Sequence, residues 1–324
     1  MARTRLYRNG VLEAEDFPVE TIAERLSDDE AVVWLDLCKP TQADFDLISE
    51  ELGLHHLAVE DAMKFGQRPK LDRYRDHLFI SAYAVQLDGR LGRLTTSEIG
   101  VFATPRVVVT VRRDDRFDLE EVVARWDDNA DLAKYGVAFL LHGLLDTLVD
   151  GHMAAVEELD QSLESVEGML FDGGRTSAHA VQRRSFQLRR SLVMLRRVAL
   201  PMREVVNALM RPTLHVVGEP MLPYYQDVYD HVLRASEWTE SLRDLVTTIL
   251  ETNLTVQGNR MNLIMKQLTG WAAIIAVPTA VTGFYGQNVP YPGFGKWWGF
   301  VASITVTVVM SVALYITFKR KDWL

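Results

Sequence analysis

The sequence predicts an α+β membrane protein: a cytosolic α/β domain, a long stalk helix, and two C-terminal transmembrane helices, the first continuous with the stalk. Three observations predict it. Residues 267–295 and 297–318 contain no charged side chain. Short apolar runs separated by turn residues fill the first 135 positions, the pattern of strands alternating with helices. From Tyr224 onward no proline occurs before Pro278 and no glycine before Gly258, so nothing interrupts a helix that runs into the first uncharged stretch.

Residues 1–135 form the α/β domain. Ala31–Leu37, Leu78–Leu87, Ile99–Ala103 and Val107–Val111 are strand candidates. Asp88-Gly89 marks a turn, and Thr104-Pro105-Arg106 joins the last two strands. Thr41 is placed to cap a helix that ends at Leu52 before Gly53, since Thr accepts from the first free amides and Gly tolerates the left-handed exit. Residues 136–219 form a helical pair. Leu144–Asp172 holds eight acids and no Lys or Arg, whereas Arg175–Arg211 holds nine Arg and one acid, Glu204. Two readings stay open. The helices pair with each other through opposite charge, or the acidic helix concentrates cations near a pore mouth.

The stalk covers 220–266 after Pro220 and Pro223. Val228, Val232, Ala235, Leu242, Leu245, Ile249, Thr252 and Val256 follow a 3/4 spacing, a seam that suits packing against copies of the same helix. Helical segments follow at 267–285 and 297–318, joined by a loop at 286–296 and ended by a basic tail at 319–324. The second has 22 residues, about 33 Å as a helix and enough to cross roughly 30 Å of hydrocarbon. The loop holds three Gly and two Pro between Gly286 and Gly295 and cannot continue a helix. Arg260, Lys266, Lys319, Arg320 and Lys321 flank the spans on one side, and Lys296 alone lies on the other. Basic residues stay in the cytoplasm, so both termini are expected there. Trp297, Trp298 and Trp323 sit where an interfacial aromatic belt would lie. Met1–Gly10 holds three Arg and no apolar run, so no signal peptide is expected.

Composition excludes other classes. At 48% hydrophobic and 24% charged residues the chain is not disordered. Cys38 is the sole cysteine, which rules out an intramolecular disulfide and a multi-cysteine zinc site. A net charge of −9 argues against nucleic-acid binding. No GxxxxGK loop, dinucleotide fingerprint or HExxH occurs, so neither an enzyme nor a nucleotide cofactor is expected. His55-His56 are adjacent and cannot share a helical face; they begin a helix or a turn. Ser177 and His179 have the same defect and no acid partner.

Asn262, Met265, Thr269, Ala272, Ala276, Thr279, Gly283 and Gln287 recur at steps of three or four. They form one stripe, smaller and more polar than the face with Leu263, Trp271, Ile274, Ile275 and Val281. Small residues on a membrane helix serve close helix packing; alternatively, identical stripes from several subunits line a pore. The seam favours the second reading, because it brings copies of the helix together.

Tyr285-Gly286-Gln287-Asn288, directly after an uncharged helix, resembles the signature of the CorA family of divalent-metal (magnesium/cobalt) transporters, whose usual motif is Gly-Met-Asn after a Tyr. Phe318-Lys319-Arg320-Lys321-Asp322-Trp323-Leu324, Gln67-Arg68-Pro69-Lys70, Val59-Glu60-Asp61, Pro201-Met202-Arg203-Glu204 and Asp227-Val228-Tyr229-Asp230-His231 also look like that family, in the same order. The resemblance implies a funnel-shaped homopentamer in the cytoplasmic membrane that takes up hydrated Mg²⁺, and also Co²⁺ or Ni²⁺. Uptake would be driven by membrane potential and gated by intracellular Mg²⁺, the ion being both substrate and regulatory ligand. It implies that Gly286, Gln287 and Asn288 form the outer selectivity ring and that Asn262, Met265 and Leu268 line the inner pore. Val277 or Ala276 would be the upper constriction, and Thr269, Thr279 and Gly283 would complete the lining. Asp227 matches a stalk carboxylate that holds a regulatory ion between subunits, with Asp88 its candidate partner. Two departures stand out. Gln287 replaces the usual Met, a motif position that also varies in relatives that carry zinc, and no carboxylate lies between Asn288 and Lys296. A zinc transporter of the same family and a non-conducting membrane-anchored metal sensor are the rival readings.

Overall fold

A computed structural model describes residues 2–28, 30–89, 92–170 and 178–323. The chain divides into two compact units, Met1–Ile249 and Leu250–Leu324.

The first unit is built on a seven-stranded sheet of order β2-β1-β3-β7-β6-β5-β4. Its strands are β1 (Ala2–Arg8), β2 (Val11–Glu15), β3 (Ala31–Cys38), β4 (Lys70–Arg73), β5 (Leu78–Asp88), β6 (Arg93–Ala103) and β7 (Val107–Arg112). Pairing is antiparallel except between β3 and β7, which run parallel with Leu35 opposite Val109. Both faces are covered, so the central strands read as apolar runs and alternation sorts their side chains. Trp34 and Val108 enter one core with Ile80 and Val101. Val33, Leu35, Val107 and Val109 enter the other with Phe79 and Phe102.

The short turn α1 (Ile22–Arg25), α2 (Gln42–Leu52) and α3 (His56–Met63) cover the second face. Thr41 and Asp44 form a reciprocal capping box on α2, and Gly53 leaves it at φ 63°. His55 caps α3 by accepting the Leu57 amide on Nδ1 at 3.2 Å, so the adjacent histidines do start a helix. The other face carries α4 (Glu120–Asp128), the turn α5 (Ala130–Ala133), α6 (Val137–Leu170) and α7 (Ala178–Leu209). There the Trp126 indole donates to the Leu140 carbonyl at 3.1 Å and stands edge-on to Trp34. Asp36 and Arg112 form a largely buried ion pair across β3 and β7 at 2.5 Å, with the Thr110 hydroxyl donating to the same carboxylate.

Two expectations are revised here. The acidic and basic helices do pack together, but through apolar stripes that include Leu159, Leu163, Leu188 and Leu192, all buried. The ion pairs of α6 run to Arg125 on α4, and Arg196 of α7 pairs with Glu240 on α8 (Leu222–Tyr285). Asp172, Arg175 and Ser177 lie outside the described residues. The stalk seam is also used differently. Val228, Val232, Ala235, Leu242 and Ile249 are at most 3% exposed, and Val228 and Val232 join the core that holds Met202 and Leu145. A spacing of three and four marks a buried face without saying what buries it. At these five positions the chain's own fold does, whereas Val256 on the same stripe is 42% exposed.

The second unit holds the rest of α8, which continues unbroken to Tyr285, and α9 (Trp297–Arg320). Pro278 lies inside α8.

Candidate functional site

The chain itself buries only 11% of the apolar stretch of α8 and 6% of that of α9. Trp271, Ile275, Phe284 and Val309 are each more than half exposed. Apolar area on this scale needs a bilayer or further copies of the helix to cover it. Two helices long enough to span are therefore present, Trp297–Arg320 being 24 residues.

Asn262, Met265, Leu268, Thr269, Ala276, Thr279 and Gly283 are all exposed along α8. Val277, by contrast, is 9% exposed and packed inside the unit. Of the two positions expected for an upper constriction, Ala276 is the one on the open stripe. Asn262, Met265 and Thr269 share a shallow cleft with Lys266 and Trp323. Trp323 is held there by stacking on Phe318, with ring centroids 5.4 Å apart, and by donating its amide to the Phe318 carbonyl. The Thr279 hydroxyl donates to the Ile275 carbonyl at 3.2 Å. Its proton is thus engaged within the helix, leaving the oxygen lone pairs as acceptors.

At the end of α8 the Gly286 amide donates to the Thr282 carbonyl at 2.8 Å. A Cβ at Gly286 would stand 2.9 Å from that same oxygen, so the approach is closed to any larger residue. Gln287 and Asn288 follow on an exposed bend. Asn288 is not among the residues with positive φ, so it does not end the helix as a left-handed cap. The loop beyond is stitched at its base. Tyr291 donates its hydroxyl to the Tyr285 carbonyl at 2.9 Å, and its ring sits 5.0 Å from Tyr285 and 5.3 Å from Phe294. Gly293 takes φ 94° against Trp298 and Gly299, where a Cβ would come within 2.9 Å of the indole.

In the first unit Asp227 lies exposed near the start of α8, and Asp88 lies exposed at the end of β5, opposite Arg93. They stand on different elements, and an ion shared between subunits would need both to be accessible, as they are. The sequence reading missed a second group. Asp146 and Asp150 of α6 and His231 of α8 offer ligand atoms within 4.8 Å of one another. Arg125 pairs with both carboxylates, with Asp150 at 2.9 Å, and so offsets one of their two negative charges. Nearby, burial holds His142 below its ordinary pKa against the opposing charges of Asp146 and Asp227. The i,i+4 spacing of the two aspartates is visible in the sequence, but the meeting of α6 with α8 and the arrival of Arg125 are tertiary facts.

Residues 29–320 match the family model described as CorA-like Mg2+ transporter protein. The chain is 31% identical over 280 residues to the cobalt/magnesium transport protein CorA of Thermotoga maritima, covering 86% of this chain and 79% of that one. It is 24% identical over 268 residues to the zinc transport protein ZntB of an Enterobacter species, covering 79% and 77%. Its fold is similar to the complete structure of the CorA magnesium transporter from Methanocaldococcus jannaschii, with a TM-score of 0.80, 21% identity, and coverage of 100% and 99%.

Proposed function

Because the chain belongs to the CorA family of divalent-cation transporters, which are not enzymes, we propose that it carries Mg²⁺ into the cell as a hydrated ion. The observation that carries this reading is the donor set. The exposed stripe and the bend beyond it offer Asn262, Thr269, Thr279 and Asn288 oxygens and no Cys or His. Zinc prefers nitrogen and thiolate ligands, whereas oxygen donors suit hard cations. Mg²⁺ sheds its water reluctantly, so a ring of Asn288 amides with Gly286 carbonyls is suited to hydrogen-bond its hydration shell. Conduction also requires that the ion leave, which a neutral ring permits.

In this reading the chain works as a homopentamer in the cytoplasmic membrane, with both termini inside and Gly286, Gln287 and Asn288 at the outer mouth. Asn262, Met265, Leu268, Thr269, Ala276, Thr279 and Gly283 line the path. The membrane potential suffices as driving force. At about 2.3 kcal/mol per charge per 100 mV, a divalent ion gains roughly 4.6 kcal/mol, more than a thousandfold at equilibrium. Asp227 and Asp88 of neighbouring subunits hold a regulatory Mg²⁺ that closes the path when internal Mg²⁺ is high, since two facing carboxylates repel unless a cation lies between them.

Zinc transport is the second reading, favoured by the likeness to the zinc transport protein and by Gln287 in place of the family's usual Met. Flux into sealed liposomes separates them. Mg²⁺ entry that rises with an inside-negative potential and survives excess Zn²⁺ supports the proposal. Zinc entry that Mg²⁺ fails to inhibit would transfer the assignment to zinc, and no flux of either would leave a metal sensor.

A further inference from the structure

Part of the outward charge on α6 and α7 makes no ion pair among the described residues. Glu157 and Glu164 are exposed on α6, and Arg183, Arg190 and Arg197 are exposed on α7. Among the described residues none of the five forms an ion pair. The two helices lie side by side, within reach of long Arg side chains crossing to the acids. The side chains do not cross, because the facing stripes are apolar and each charged column is turned outward. The result is one acidic ridge and one basic ridge on the same subunit.

Their spacing matches. Glu157 and Glu164 are seven residues apart, and Arg183, Arg190 and Arg197 repeat at seven. Seven residues advance a helix by about 10.5 Å and return to nearly the same azimuth. An α6 laid along a foreign α7 therefore brings successive Glu and Arg opposite each other without strain. Two different surfaces of one chain that complement each other make a head-to-tail contact, the kind that closes a ring.

We infer that the acidic ridge of α6 on one subunit docks against the basic ridge of α7 on the next. The occupant is a second copy of this chain, chosen by charge complementarity, and the inference rests on the ring assembly proposed above. Such a contact is salt-sensitive, because charges at an exposed interface are screened over about 10 Å at 0.1 M salt.

The test uses the full chain in detergent on a Cys38→Ser background. One chain carries Glu157→Cys, and a second, differently tagged, carries Arg190→Cys. They are co-expressed and treated with a short bis-maleimide. A crosslinked species bearing both tags is expected, while Glu157→Cys alone gives none, because the contact is not self-complementary. In a separate variant, Arg190→Glu with Arg197→Glu should raise the dissociation constant of the assembly about tenfold, as expected for the loss of two exposed pairs. Adding Glu157→Arg with Glu164→Arg should restore it. An assembly of full size by light scattering, with no mixed crosslink and no effect of reversal, overturns this contact and leaves the ring standing. A monomer under every condition overturns both.

Discussion

Asn288 presents a carboxamide on a bend that its own backbone does not use as a helix cap, and this gives the proposed selectivity ring its sharpest test. Asn288→Ala removes acceptor and donors together and should abolish Mg²⁺ uptake while the assembly remains intact. Gln287→Met should preserve uptake. Undiminished flux through a well-assembled Asn288→Ala protein would leave the residue no part in reading the ion. A second residue reports on stability. His152 is 1% exposed, its Nε2 lies 2.8 Å from the Tyr83 carbonyl, and burial pushes its pKa down to about 4. The unfolded chain binds a proton near pH 6.5 that the folded chain refuses. The stability is therefore complete above about pH 6.5 and falls as the pH drops toward 4. The loss over that window is on the order of 3 kcal/mol. Urea titrations at pH 7 and pH 5 should show the decline in the native protein and a flatter response in His152→Leu.

At the scale of elements, α8 joins two roles, one end carrying Asp227 and the other ending beside Gly286. Asp227→Ala removes the carboxylate proposed to hold the closed state. Flux at millimolar internal Mg²⁺ should then rise several-fold, read with an internal indicator in liposomes loaded with Mg²⁺. Inhibition as strong as in the native chain would remove Asp227 from the gate. Elements with strong local signals were legible in the sequence. The cap at Thr41 and the exit at Gly53 bound α2, and uncharged runs place the spans. β1, β2 and β4 were not, because each is an edge or near-edge strand whose polar residues, such as Arg5 with Asp127, find partners far along the chain. The 3/4 stripe of the stalk was legible as a buried face, but its partner was not, since periodicity records burial and not the neighbour.

For the whole molecule, the charge bias predicts its orientation. A cysteine at Val289 should react with an impermeant maleimide added outside intact cells, and one appended after Leu324 should not, the native Cys38 being replaced by serine in both. The reverse pattern would invert the topology and move the proposed selectivity ring to the cytoplasmic side. The family and the general plan could be read from motifs scattered from Val59 to Asp322, because membrane spans and capping signals are written locally. The knot of Arg125, Asp146, Asp150 and His231 could not, because it joins α4, α6 and α8.

The loop after Asn288 is fastened at its foot by Tyr291 on Tyr285 and by the glycine contact between Gly293 and Gly299. Those fastenings fix both stems and leave the tip at Val289 and Pro290 free to change length. New chemistry can be grafted there with the base intact, which makes the missing loop carboxylate an addition that this scaffold will accept. Insertion of Glu-Glu between Asn288 and Val289 should place a ring of negative charge above the mouth and lower the Mg²⁺ concentration for half-maximal uptake. The gain should fade as salt rises, since such attraction is screened over about 10 Å at 0.1 M. An insertion that leaves the half-maximal concentration unchanged at low salt would mean that the tip lies away from the path of the ion.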